Sequence, residues 1–266
     1  MNAAATQPFG NLLREWRQRR RMSQLALACE ADISTRHLSF VETGRAQPSR
    51  EMVLHLSERL QVPLRERNVL LVAAGFAPMF AQRALDDPAL QAARQAIDLV
   101  LAGHEPYPAL AVDRHWTLVA ANRMVSPLLA GVEVSLLQHP VNVLRLSLHP
   151  AGLAPRIVNF AQWRSHLLAR LRQQIEASGD PVLAALLDEL SAYPARTTLT
   201  EHEPPGVVIP FELDMPQGRL SFISTTTIFG TPVDVTLSEL AIESFFPADA
   251  TTAQALRQLI EPATIR

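Results

Sequence analysis

The chain has 266 residues, 48% of them hydrophobic and 19% charged, which excludes a disordered protein and exceeds what one average domain needs. A net charge of −2 argues against indiscriminate coating of nucleic acid, yet the charge is unevenly placed. Residues 1–80 carry 11 Arg against 7 acidic residues (+4), and residues 81–266 carry 13 Arg against 19 (−6). No apolar run reaches the ~18 residues of a membrane span, residues 1–8 lack the apolar core of a signal peptide, and the single Cys29 allows no internal disulfide. The expectation is a cytoplasmic chain with no membrane partner, and a buried, apolar role for Cys29.

Residues 1–78 predict an all-α domain of five helices. Phe9, Leu12, Leu13 and Trp16 form one helical stripe flanked by Arg14, Arg17, Arg19, Arg20 and Arg21. Ser23 is an N-cap for a second helix, Gln24–Cys29, and Ser34 for a third, Thr35–Glu42, which stops at Thr43-Gly44. The turn Ala31-Asp32-Ile33 separates them. Met52, Val53, Leu56 and Leu60 mark a fourth helix, and Leu64–Ala74 a fifth.

Two short helices joined by a tight turn form the DNA-reading helix-turn-helix arrangement. The runs Ser23-Gln24-Leu25-Ala26, Ile33-Ser34, Glu42-Thr43-Gly44-Arg45 and Pro48-Ser49 resemble the Cro/repressor (XRE) family, with one departure: Asp32 stands where that family usually has a turn Gly, and Asp tolerates the left-handed backbone better than most residues. Gln24 and Ser34, at helix N-termini, are candidates for phosphate. Thr35 and Arg36 open the recognition helix and are expected at base edges, Arg36 as a bidentate reader of guanine. Phe40 either meets a thymine methyl or packs on the fourth helix. His37 is a candidate for the DNA backbone or simply exposed, and Arg45 suits the backbone. Double-stranded DNA is the expected partner. A homodimer is expected because one module reads only a few base pairs, whereas a two-fold pair reads half-sites about 34 Å apart.

Residues 79–105 predict a helical linker, with its helix over Pro88–Ala102, ended by Glu105-Pro106-Tyr107-Pro108. Residues 106–266 predict an α+β domain with an antiparallel sheet. Strands are expected at Ala109–Asp113, Trp116–Ala120, Val207–Met215, Leu220–Phe229 and Val233–Phe246. Helices are expected from Asn122, over Val141–Leu148, Pro155–Ala177 and Pro181–Leu190, and near Thr252–Ile260. Two strands followed by Ala-Asn opening a helix resemble the start of a PAS sensor domain.

Longer motifs resemble the MmyB-like transcription regulators. They are His37–Arg45, Pro48–Val53, Pro63–Asn68 through Ala73–Pro78, Val141–Arg145 with Leu148-His149-Pro150, and Phe229–Pro232 with Ala241–Pro247. The resemblance implies a PAS-like ligand-binding domain controlling the Cro-type one. Candidate lining residues are Trp116, Asn122, Leu128, Leu144 and Leu148. Asn142, Arg145 and His149 fall at i, i+3 and i+7 as one polar stripe on a Val/Leu helix. A buried Arg145 requires an anionic or carbonyl partner: Glu243, a backbone carbonyl, or a ligand carboxylate. The last would suit a fatty-acid-like or acyl ligand, with no other cofactor. The alternative is a C-terminal domain that dimerises or binds a protein without a small ligand.

Catalysis is not expected. His104-Glu105-Pro106 and His202-Glu203-Pro204 match a fragment of the zinc deaminase signature, but that signature needs downstream cysteines. No His-Glu-x-x-His, phosphate loop or Gly-x-Ser-x-Gly elbow is present.

Overall fold

The computed structural model describes residues 7–195 and 208–260. His202-Glu203-Pro204 and the start of the strand expected from Val207 therefore lie outside the described residues. The chain divides into two units, one comprising residues 1–83 with 176–178 and 232–238, the other the remainder.

Five helices between residues 9 and 73 form the body of the first unit: α1 (Phe9–Arg19), α2 (Gln24–Glu30), α3 (Thr35–Glu42), α4 (Arg50–Arg59) and α5 (Leu64–Ala73). Serines start three of them. Ser23, Ser34 and Ser49 accept the backbone N–H groups of Ala26, His37 and Met52 at 3.0, 3.1 and 3.2 Å, satisfying donors that the first helical turn leaves free. Asp32 takes φ 50° in the α2–α3 turn, the left-handed geometry expected there. Leu13, Leu27, Leu38, Leu56 and Leu70 meet in the core, where each buried leucine contributes roughly 1.5–3 kcal/mol. Cys29 corrects the sequence reading. It is exposed, as is Leu25 one turn earlier, because α2 turns only Leu27 and Ala28 fully inward.

The second unit begins with a 3₁₀ turn, Pro88–Leu90, that runs into α6 (Gln91–Gly103). The helix read as a linker is thus part of a packed unit. Its Ile97 and Leu101 are buried, and it packs on strand β1 (Ala109–Val112). There follow β2 (Leu118–Ala121), α7 (Val125–Leu128), α8 (Val143–Leu148), α9 (Phe160–Ser178), α10 (Pro181–Ala192), β3 (Phe211–Met215) and β4 (Gly218–Ile228). Then come β5 (Ala241–Pro247) and α12 (Ala250–Ile260), while the short α11 (Val235–Ser238), between β4 and β5 in the chain, belongs to the first unit. The strand expected over Val233–Phe246 is shorter at its start. Asp234 accepts the Thr236 N–H at 2.8 Å and caps α11, whose Val235 is fully buried, so only residues 241–247 remain extended.

The five strands among the described residues pair antiparallel in the order β2-β1-β5-β4-β3. The register sets Phe222 beside Phe211, Ser224 beside Phe245, Thr226 beside Glu243, and Glu243 beside Leu110. Because side chains alternate across a strand, these residues share one face. That face and the apolar sides of α8, α9 and α10 form a single core cluster.

Candidate functional sites: an outward helix face and an apolar cavity

In the first unit, α3 has two distinct sides. Leu38, Val41 and Glu42 point into the core, while Arg36 is exposed and Thr35, His37, Ser39 and Phe40 are half-buried. The Arg36 guanidinium lies over the Phe40 ring, 5.3 Å from its centroid, so the residue one helical turn on forms a platform for the arginine. Ser34 is occupied as the cap of this helix, and Arg45 is exposed just beyond its end.

Glu42 holds α3 against α1, a role the sequence reading missed. Its carboxylate accepts from Arg17 Nε at 2.6 Å and Nη2 at 3.0 Å, and from Gln24 Nε2 at 2.8 Å. Arg17 also donates to the Met22 carbonyl at 2.8 Å, and Arg14 approaches Glu42 to 3.5 Å. Burial pushes the Glu42 carboxyl up, but the Arg17 and Gln24 hydrogen bonds and the charges of Arg17 and Arg14 hold it below its ordinary value. The Gln24 amide, expected to face phosphate, is therefore committed to Glu42. Only spatial folding could reveal this cluster, since Arg17 and Glu42 are 25 residues apart.

The second unit contains a cavity of about 100 Å³ between the sheet face and α7, α8 and α9. Trp116, Leu128 and Leu144, all named from sequence, line it, together with Leu118, Trp163, Leu167, Phe211, Phe222 and Phe245. Its polar side chains are Ser147, Arg170, Ser224 and Glu243. Arg170 donates from Nη1 to Glu243 at 3.0 Å and from Nη2 at 2.6 Å, and its guanidinium stacks on Trp116 at 4.6 Å. The indole N–H groups are also anchored, Trp116 to Gln174 at 2.7 Å and Trp163 to Ser147 at 2.9 Å. Burial, and then the charge of Arg170, hold the His166 imidazole below its ordinary value, so it is neutral at neutral pH.

The other sequence candidates do not line this cavity. Asn122 donates to the Leu101 and Tyr107 carbonyls at 3.1 and 2.8 Å and accepts from Ala109 N–H, which ties α6 to β1. Asn142 caps α8, accepting from Leu144 and Arg145 N–H groups, and donates to the His115 carbonyl at 2.8 Å. His149 is the C-terminal cap, with Nδ1 accepting from Ala151 N–H, and Leu148 is core. The polar stripe dissolves because α8 spans only Val143–Leu148, leaving Asn142 and His149 at its ends.

Arg145 points away from the cavity and bonds Glu189 at 2.7 and 2.6 Å; the two side chains are 43% and 36% exposed. Its partner is thus Glu189, whereas Glu243 pairs with Arg170. Tyr193 donates to Glu189 at 2.6 Å, and burial, then this hydrogen bond and the Glu189 charge, push its phenol up to about 12. Arg170 was legible in principle. It sits at i+7 from Trp163 and i+3 from Leu167, a cation on the apolar face of a long helix.

No helix among the described residues is long and apolar enough to cross a membrane, and no group of three or more His, Cys, Asp or Glu among them could hold a metal ion. No curated protein matches the chain. A helix-turn-helix domain model matches residues 8–70, which span α1–α4 and most of α5. The model of the MmyB-like transcription regulator ligand binding domain matches residues 93–259, well over half of the chain, and covers the sheet and the cavity. A DNA-binding helix-turn-helix domain thus precedes a ligand-binding domain on one chain, which belongs to the MmyB-like transcription regulators.

Proposed function

We propose that this regulator is a non-enzymatic cytoplasmic sensor whose DNA affinity is set by a compact apolar or acyl-like molecule held in the second unit. The observation that carries this reading is an aromatic and aliphatic cavity with its charged groups gathered at one polar end. Its volume favours a small guest: a cavity of roughly 150 Å³ with similar walls accommodates benzene. Regulation is then a matter of linkage. A ligand that binds one arrangement of the protein better than another shifts DNA affinity by that difference in binding free energy.

In this reading Arg36, stacked on Phe40, reads base edges with Thr35, while Ser34, His37 and Arg45 serve the phosphate backbone. Two copies would bind a two-fold operator. The exposed face of α6 supports this. Ala92, Ala96, Leu99 and Gly103 fall at i, i+4, i+7 and i+11, opposite the buried Ile97 and Leu101, and Leu99 is 74% exposed. The spacing is symmetric about the middle of the helix. An antiparallel pair of α6 helices would set Ala96 against Leu99 and Ala92 against Gly103, small opposite large at the centre.

Native mass spectrometry of the purified full chain tests the sensor reading, followed by DNA-binding titrations with and without whatever is extracted. A bound compact organic molecule that changes DNA affinity is the expected result. A ligand-free protein whose Trp116 and Trp163 fluorescence responds to no small apolar compound would overturn it.

A further inference from the structure

We propose that the polar end of the cavity selects a neutral hydrogen-bonding head group, such as an ester, lactone, amide or alcohol, and rejects an ionised carboxylate. This rests on the reading that the cavity is the ligand site. Arg170 and Glu243 are the charged residues lining it, and they neutralise each other through two hydrogen bonds of 3.0 and 2.6 Å. Thr226 completes the pair, accepting from Arg170 at 2.8 Å and donating to Glu243 at 3.0 Å. The Glu243 side chain is 5% exposed, so its charge has little water to fall back on.

A carboxylate entering this cavity would lose its hydration and meet a guanidinium already claimed by another carboxylate. Sharing the cation would place two negative charges side by side against an apolar wall, at an arginine whose side chain is only 24% exposed to screening water. Displacing Glu243 would leave a buried carboxylate unpaired, which costs more than the pair it replaces. A neutral carbonyl or hydroxyl incurs neither penalty. It keeps the Arg170–Glu243 pair intact and can bond an unused guanidinium N–H or the hydroxyls of Ser147 and Ser224, while its alkyl part packs on Leu128, Leu144 and Phe222. The nearby His166 imidazole, held neutral, adds no second cation.

The test compares sodium hexanoate with methyl pentanoate, which has the same number of non-hydrogen atoms, by tryptophan fluorescence of the full chain near neutral pH. The ester should bind at least about tenfold more tightly than the anion. In Glu243→Gln, hexanoate should gain at least about tenfold, because Arg170 is then free to pair with it. Hexanoate binding the wild-type protein as tightly as the ester would overturn the head-group selection and leave the cavity as a ligand site. Binding of neither compound up to millimolar concentration would overturn the ligand site itself, and the selection with it. The wild-type comparison decides the matter even if Glu243→Gln does not fold.

Discussion

Among the described residues, the first unit holds the bidentate pair Arg17–Glu42 and the second the bidentate pair Arg170–Glu243, each with a buried glutamate, but their surroundings differ. The Glu42 side chain is fully buried; it also accepts from Gln24 and faces the Arg14 guanidinium at 3.5 Å, while Arg17 turns a further N–H to a backbone carbonyl. That cluster is closed and locks two helices. The second pair shares a single hydroxyl, stacks on Trp116 and opens onto a cavity. The same two functional groups therefore make a structural joint where every partner is protein, and a recognition element where one side is left for a guest.

The largest expected effect is on the closed pair. Glu42→Ala leaves Arg17 buried without its partner and should destabilise the first unit by about 3–5 kcal/mol, read from chemical unfolding of the full chain. Because the Glu42 carboxyl is held below its ordinary value of 4.5, its contribution is present above that pH and is lost as pH falls through the lower folded value. Glu42→Gln should remove this acid limb from the pH–stability curve. An unchanged limb would assign it to other carboxylates.

Next comes the DNA-reading face. With an operator selected from random DNA, Arg36→Ala should cost about 1–3 kcal/mol on that site and little on unrelated DNA, whereas Arg45→Ala should weaken both alike and lower the salt dependence. Equal losses on both DNAs for both variants would contradict the division. Phe40→Leu removes the aromatic platform but keeps the bulk, and should cost about 0.5–1 kcal/mol of specificity through Arg36 alone. In Arg36→Ala the same change should have almost no further effect, a double-mutant comparison that a purely structural Phe40 would fail.

The smallest effect is expected at Arg145. Its pair with Glu189 is well exposed on both sides, so Arg145→Gln should change stability by about 0–1 kcal/mol and leave cavity binding untouched. A large loss of fluorescence-detected binding in that variant would return Arg145 to the ligand site and weaken the contrast between the two buried pairs.

The amino-acid sequence by itself determined the elements whose causes are local. Serine caps and turn residues placed α2, α3 and α5 almost residue by residue, apolar stripes located α1 and α4 without their ends, and alternation with Gly-marked turns placed most of the sheet. Local signals also identified Trp116, Leu128 and Leu144 as residues of the ligand domain's interior, because large apolar side chains seek burial wherever the fold puts it. Tertiary structure alone decided which charges meet. Arg17 finds Glu42 across 25 residues and Arg170 finds Glu243 across 73, while Arg145 turns outward to Glu189. Periodicity assigns a side chain to a face but not to a partner. A buried arginine is satisfied by whichever carboxylate the packed elements bring within hydrogen-bonding distance.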